Sequence, residues 1–169
     1  MSHGAGRGWP RRTTATGDPV ADVGGTRKTH GMTTITPYLS FKDNTREVME
    51  FYQSVLGGTL DLVHFRDFPD LPHDPGDDDL IMHAHLHTDD GIELQASDTP
   101  SATDYAAPAG VALSLEGDDA ASLTRQWNAL ADGGDVQMPL GPAPWGGMFG
   151  MVTDRFGVAW YVTIDTSAG

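Results

Sequence analysis

The sequence contains no cysteine. That excludes a disulfide scaffold, an iron–sulfur site, a cysteine-built zinc site and a thiol nucleophile. No apolar run comes near the roughly 18–20 residues that cross a bilayer. Positive charge is scarce: Lys and Arg number 10 against 24 Asp and Glu, for a formal net charge of −14 at pH 7. What there is lies unevenly. Arg7, Arg11, Arg12, Arg27 and Lys28 fall within residues 1–31 beside only Asp18 and Asp22, so that stretch carries +3 and the rest of the chain −17. So acidic a body repels phosphate backbones and anionic headgroups, which argues against nucleic-acid and membrane partners. Solubility is the plain reading of the acidity. Aromatics make up 8% and hydrophobic residues 38% of 169 residues, lean for one globular domain but too rich for a wholly disordered chain.

Residues 1–31 are rich in Gly, Arg, Thr and Pro and show no apolar periodicity, the composition of a disordered extension. Arg11-Arg12 is not followed by an apolar stretch, so it does not read as an export signal. Met32 immediately precedes the first strand-like run and reads as the natural initiator. A single domain over 32–169 is expected, in the cytoplasm.

Within it, residues 34–41 alternate as a strand, with Pro37 tolerated at an edge or near the start. Asn44 followed by Glu47 has the spacing of a capping box, and Val48, Phe51, Tyr52, Val55 and Leu56 recur at helical spacing up to Gly57-Gly58. Strands are predicted over 59–65, 80–88 and 92–97. A long loop at 66–79 with three prolines and six aspartates precedes the second of them, and Asp89-Asp90-Gly91 joins the last two. The pattern then recurs: a strand at 111–115, a helix at 118–132 ending in Gly133-Gly134, and strands at 136–140, 149–153 and 158–164. The order is β-α-β-β-β twice, an internal duplication with modules over about 34–98 and 110–164. The predicted class is α+β, with two βαβββ modules forming a curled mixed-sheet cleft.

One face of each strand must cover its helix, which leaves the other free to line a cavity. Leu80, Met82, Ala84 and Leu86 are assigned to the helix side, and His83, His85 and His87 to the other. A three-residue hairpin loop sets His87 opposite Glu93 and His85 opposite Gln95. Thr36, Tyr38 and Ser40 join this polar side from the first strand, and Ala159, Tyr161 and Thr163 from the last. Polar groups converging from several strands are what a concave small-molecule site needs.

Several motifs carry a resemblance: Pro37-Tyr38-Leu39-Ser40-Phe41, Glu50-Phe51-Tyr52 with Val55-Leu56-Gly57-Gly58, Ile81-Met82-His83-Ala84, Ser97-Asp98-Thr99-Pro100, Trp145-Gly146 with Phe149-Gly150, and Asp154-Arg155-Phe156-Gly157-Val158 with Trp160. Together with the paired βαβββ order they resemble the vicinal oxygen chelate superfamily (glyoxalase, bleomycin-resistance protein, extradiol dioxygenase), and within it the PhnB-like group. The resemblance covers about residues 34–164. It implies two modules around a cleft, a homodimer, and in metal-dependent members four ligands that fall here on Thr36, Glu93, Gly110 and Tyr161. Only Glu93 is a good ligand type, so the chain departs from the metal-dependent pattern at three positions.

Two readings of the histidines stay open. His85, His87 and Glu93 form a two-His-one-carboxylate set that can hold a divalent metal, with His83 as a substitute. Alternatively they line a polar cavity or face water. Glu93 is the candidate catalytic residue, as a base or a hydrogen-bond acceptor, against a purely structural pairing with His87. Tyr38, His83, His85, Gln95, Trp145 and Tyr161 are the candidate ligand-binding residues, with core or interface packing as the other role for Trp145. Trp160 is expected in the core, and Asp154 to Gly157 as a structural turn. The expected function is binding of a small molecule without a full metal site. The alternative is a metal-assisted lyase or oxygenase using Glu93.

Overall fold

The computed structural model describes residues 33–166, so the 1–31 extension and the Met32 initiator lie outside the described residues. The first module contains β1 (Tyr38–Phe41), α1 (Thr45–Leu56), β2 (Thr59–His64), β3 (Ile81–His87) and β4 (Glu93–Asp98). The second contains β5 (Ala112–Gly117), α2 (Ala120–Ala131), β6 (Asp135–Pro142), β7 (Met148–Thr153) and β8 (Ala159–Ile164). Each module makes one four-stranded sheet, in the orders β1-β4-β3-β2 and β5-β8-β7-β6. Each sheet has one parallel pair, β1 with β4 and β5 with β8, as a βαβββ unit requires. The expected α+β class and duplication stand.

The helices cover one face of each sheet, and the buried side chains form one continuous core. Val48, Met49, Tyr52 and Val55 enter it from α1, and Leu123, Trp127 and Leu130 from α2. Trp160 is 2% exposed, as expected. The modules are joined through this core. Tyr52 of α1 meets Trp160 edge-on at 5.3 Å and donates its hydroxyl to Asp154 at 2.7 Å. Asp154 is buried and also accepts from Trp160 Nε1 and from the backbone N–H groups of Phe156 and Val158. A buried carboxylate is tolerated when its lone pairs are filled in this way. Burial, with Asp154 adding to it, holds the Tyr52 phenol far above the ordinary tyrosine range, so it stays a neutral donor. Arg155 lies over the ring of Phe51 at 4.2 Å, a cation–π contact across the same junction.

The duplicated Gly-Gly joints have a common physical cause. Gly57 and Gly133 take positive φ after their helices. A Cβ on Gly58 would sit 2.3 Å from the His87 carbonyl oxygen, and one on Gly134 2.6 Å from that of Thr153. In both modules the chain leaving the helix presses on the end of the third strand.

Three local expectations are corrected. The first strand begins only at Tyr38: Pro37 has no N–H to give the ladder, though its carbonyl accepts from Gln95 N, and Ile35 is exposed. The capping box at Asn44 and Glu47 does not form, because the α1 N-terminus is capped from across the sheet. Thr45 N donates to Asp98 Oδ1 at 2.9 Å, while Asp98 Oδ2 takes Ile81 N. Finally, Ile81, not Leu80 or Met82, enters the core. The register between β2 and β3 shifts at Val63/His64, and this bulge switches the side that faces α1.

Candidate functional site

The hairpin of β3 and β4 has the expected register, with His85 opposite Gln95 and His87 opposite Glu93. Gly91 at φ 92° and the bond from its N–H to Thr88 O close the loop. Ala84, Leu86, Leu94 and Ala96 therefore point to the core. His83, His85, His87, Glu93 and Gln95 share the open face, and Tyr38 and Ser40 of β1 join them.

On that face the rings run in file. Tyr38 and His83 have centroids 5.9 Å apart, His83 and His85 6.3 Å, and His85 and His87 5.6 Å. Tyr38 Oη and His83 Nδ1 share a long hydrogen bond of 3.4 Å. Glu93 does not pair with His87, its partner in register. Its Oε2 bonds Nε2 of His85, the diagonal neighbour, a reach open to long side chains across a strand pair. His85 and Glu93 remain part-exposed, so the pair is reachable from solvent.

Trp145 and Tyr161 lie on the second sheet instead. Phe149 of β7 stands between them, 5.6 Å from Trp145 and 5.8 Å from Tyr161, both edge-on. Trp145 is 71% exposed and overhangs a depression of about 700 Å³ that also touches Glu116, Asp118 and Thr163. Tyr38 borders a different one, of about 290 Å³, with Ser40, Pro108 and Val111. The predicted ligand-binding residues thus fall into two groups, one on each sheet.

Sequence reasoning did not count Ser114 among the candidate site residues. It shares with Glu93 a cavity of about 170 Å³ where β4 meets β5. The repeat held the signal: Ser114 pairs with Tyr161 in the second module as Tyr38 pairs with Gln95 in the first.

As a metal centre the residues fit poorly. Of the four positions implied by resemblance, Thr36, Gly110 and Tyr161 lack a strong donor. His85, His87 and Glu93 do not converge: among the described residues, no group of three or more His, Asp or Glu is placed to hold a metal ion. The carboxylate that would anchor such a set is turned to His85.

A sequence profile of the Glyoxalase/Bleomycin resistance protein/Dioxygenase superfamily matches residues 34–162. Protein YjdN of Escherichia coli (strain K12) is 30% identical over 141 residues, 77% of this chain and 94% of that protein. Among solved structures, protein PA1353 from Pseudomonas aeruginosa is 47% identical, with a TM-score of 0.72 over 79% of this chain and 98% of that one. A PhnB protein from Bacillus cereus is 26% identical, with a TM-score of 0.62 over 78% and 99%.

Proposed function

The chain belongs to the Glyoxalase/Bleomycin resistance protein/Dioxygenase superfamily, and from that premise we propose that it binds a small organic molecule on the open faces of its sheets, without a four-ligand metal site. The observation that carries this reading is the file of Tyr38, His83 and His85 with Glu93 bonded alongside. Flat rings at this spacing offer stacking surfaces to a planar ligand. The Tyr38 hydroxyl, the Gln95 amide and the Glu93 carboxylate offer donors and acceptors that fix its orientation. Phe149, Tyr161 and Trp145 supply an aromatic counterpart on the second sheet.

His85, His87 and Glu93 do not converge on one point where a metal could sit. A metal-assisted lyase or oxygenase would need Glu93 released from His85. We also infer a homodimer working in the cytoplasm. Exposed Ile35, Val111 and Trp145 favour a covering copy.

The test is a small-molecule screen by thermal shift on metal-stripped protein, followed by calorimetry on Tyr38→Phe and His83→Ala. Both variants change part-exposed side chains and should melt with the parent. Each is expected to weaken a planar hit by roughly five- to tenfold, the scale of one lost hydrogen bond or ring contact. Hits that bind both variants unchanged would remove the site from this face. Light scattering that returns the mass of a single chain would refute the dimer.

A further inference from the structure

The four strands of the first sheet bring one row of side chains together. Tyr38 of β1 stands opposite Gln95 of β4, Gln95 opposite His85 of β3, and His85 opposite Asp61 of β2. Neighbouring strands lie about 4.8 Å apart, so a phenol, an amide, an imidazole and a carboxylate follow one another at that step. Glu93, two residues before Gln95 on β4, reaches diagonally to bond Nε2 of His85.

An ionised carboxylate only accepts, so Nε2 carries the hydrogen of this bond and Nδ1 of the neutral ring keeps its lone pair. Among the described residues nothing bonds Nδ1 of His85 or the side-chain amide of Gln95. The first is a free proton acceptor, and the second, one strand away, a free donor. A base held by a carboxylate, with a donor beside it, is equipped for attack on a carbonyl group.

Exposure and charge select the reaction. The side chains of His85 and Glu93 are 32% and 45% exposed, so water reaches the pair. A carbanion formed there would be quenched by that water, whereas hydrolysis consumes it. No Lys or Arg stands in any of the four strands, and Asp61 and Glu93 flank the base. An anionic substrate is therefore repelled, and an acid product is driven off. The rings of Tyr38 and His83 offer their faces to an aromatic body.

We propose that His85 is a general base that activates water for the hydrolysis of a neutral aryl ester, with Glu93 as its positioning residue. The proposal rests on the open-face reading, whose rings hold the aromatic part. Water gives a proton to Nδ1 as its oxygen bonds the carbonyl carbon. Gln95 donates to the carbonyl oxygen as negative charge gathers there. The carbon–oxygen bond to the aryl group then breaks, and the imidazolium returns its proton to the departing oxygen. A phenol and a carboxylic acid result, and Glu93 stays ionised throughout.

The test uses the full chain, stripped of metal, with dihydrocoumarin, a neutral aryl lactone, and follows ring opening by proton NMR. Turnover should saturate and exceed that of free imidazole at equal concentration by tenfold or more. It should also slow in deuterium oxide, because a proton moves in the transition state. His85→Ala should lower kcat by roughly 10²-fold, and added imidazole should restore part of it. Glu93→Gln should lower kcat about tenfold and leave KM within about twofold, since it acts through His85. Neither position is buried, and both variants should melt with the parent. A rate no better than free imidazole, no slowing in deuterium oxide, or full turnover in His85→Ala overturns the proposal. So does Glu93→Gln that changes KM alone. A lactone that shifts the Tyr38 ring signals without being opened sinks the hydrolysis and leaves the open-face reading standing. Turnover that needs His85 but ignores Tyr38→Phe and His83→Ala keeps the dyad and sinks the ring-file reading instead.

Discussion

The two modules share a topology and differ in what their open faces display. On β3 that face carries His83, His85 and His87, whereas β7 carries Phe149, Met151 and Thr153 at the matching places. β4 offers Glu93, Gln95 and Ser97 where β8 offers Ala159, Tyr161 and Thr163. The core-facing positions stay alike in kind: Ala84 and Leu86 in one, Gly150 and Val152 in the other, all buried. Packing against a helix constrains one side of each strand and leaves the other free to diverge. The duplication has yielded one imidazole-and-carboxylate face and one aromatic face. The connections diverge too: residues 65–80 join β2 to β3, while residues 143–147 join β6 to β7.

The strongest way to break the comparison is to break what both modules share. Asp154 collects four donors, one of them Tyr52 from the other module. Asp154→Ala leaves them without that acceptor. At ~1–3 kcal/mol for each buried donor left unpaired, the loss should be at least ~3 kcal/mol in urea unfolding, because relaxation and water recover part of the sum. Tyr52→Phe removes only one of the four bonds, and should cost about 1 kcal/mol. A loss under ~1 kcal/mol in Asp154→Ala would show that apolar packing alone holds the modules together.

A second test compares the Gly-Gly joints. In Gly58→Ala the new methyl meets the His87 carbonyl oxygen at 2.3 Å, and the residue must also keep φ +88°. Gly134→Ala meets Thr153 O at 2.6 Å without a positive φ. Both clashes are with backbone, which cannot swing aside. Gly58→Ala should therefore cost roughly 2–3 kcal/mol, and Gly134→Ala less, since only the first adds left-handed strain to the collision. Equal losses would mean that the close approach decides both and the conformation neither.

Much of this was legible in the sequence, because the repeat and the alternation are local signals. The hairpin register followed from Asp89-Asp90-Gly91, and the polar face followed from the register. What escaped was long-range. Asp98 caps α1 from 53 residues away, so Asn44 and Glu47 looked like a complete cap. The bulge at Val63/His64 is a property of the β2–β3 pair, and no reading of residues 80–82 alone places Ile81 in the core. Within the candidate site, strand pairing identified which residues share a face. It did not identify which neighbour Glu93 would bond, since register and diagonal partners lie within the same reach. That Trp145 and Tyr161 stand apart from Tyr38 depends on how two sheets are disposed, which periodicity does not encode.

The finest contrast concerns the unequal connections and responds to pH. In the long one, His73 bonds Leu71 O through Nδ1 at 2.7 Å and Asp78 Oδ1 through Nε2 at 2.8 Å, with Phe65 against its ring. Both ring nitrogens face acceptors, so the imidazolium satisfies both bonds and the neutral ring only one. The Leu71 carbonyl foremost, then Asp78, with Asp77 adding to them, raise the His73 pKa above the ordinary histidine value. A raised folded pKa stabilises the loop fully below the unfolded value, and that contribution fades as pH climbs through the folded one. Hydrogen exchange over residues 65–80, corrected for intrinsic rate, should therefore be slower near about pH 6 than near about pH 9, either side of the histidine range. His73→Gln should flatten the difference. Residues 143–147 contain no titratable side chain and serve as the internal control. A pH response of the same size there would assign the effect to the whole fold and remove His73 from the account.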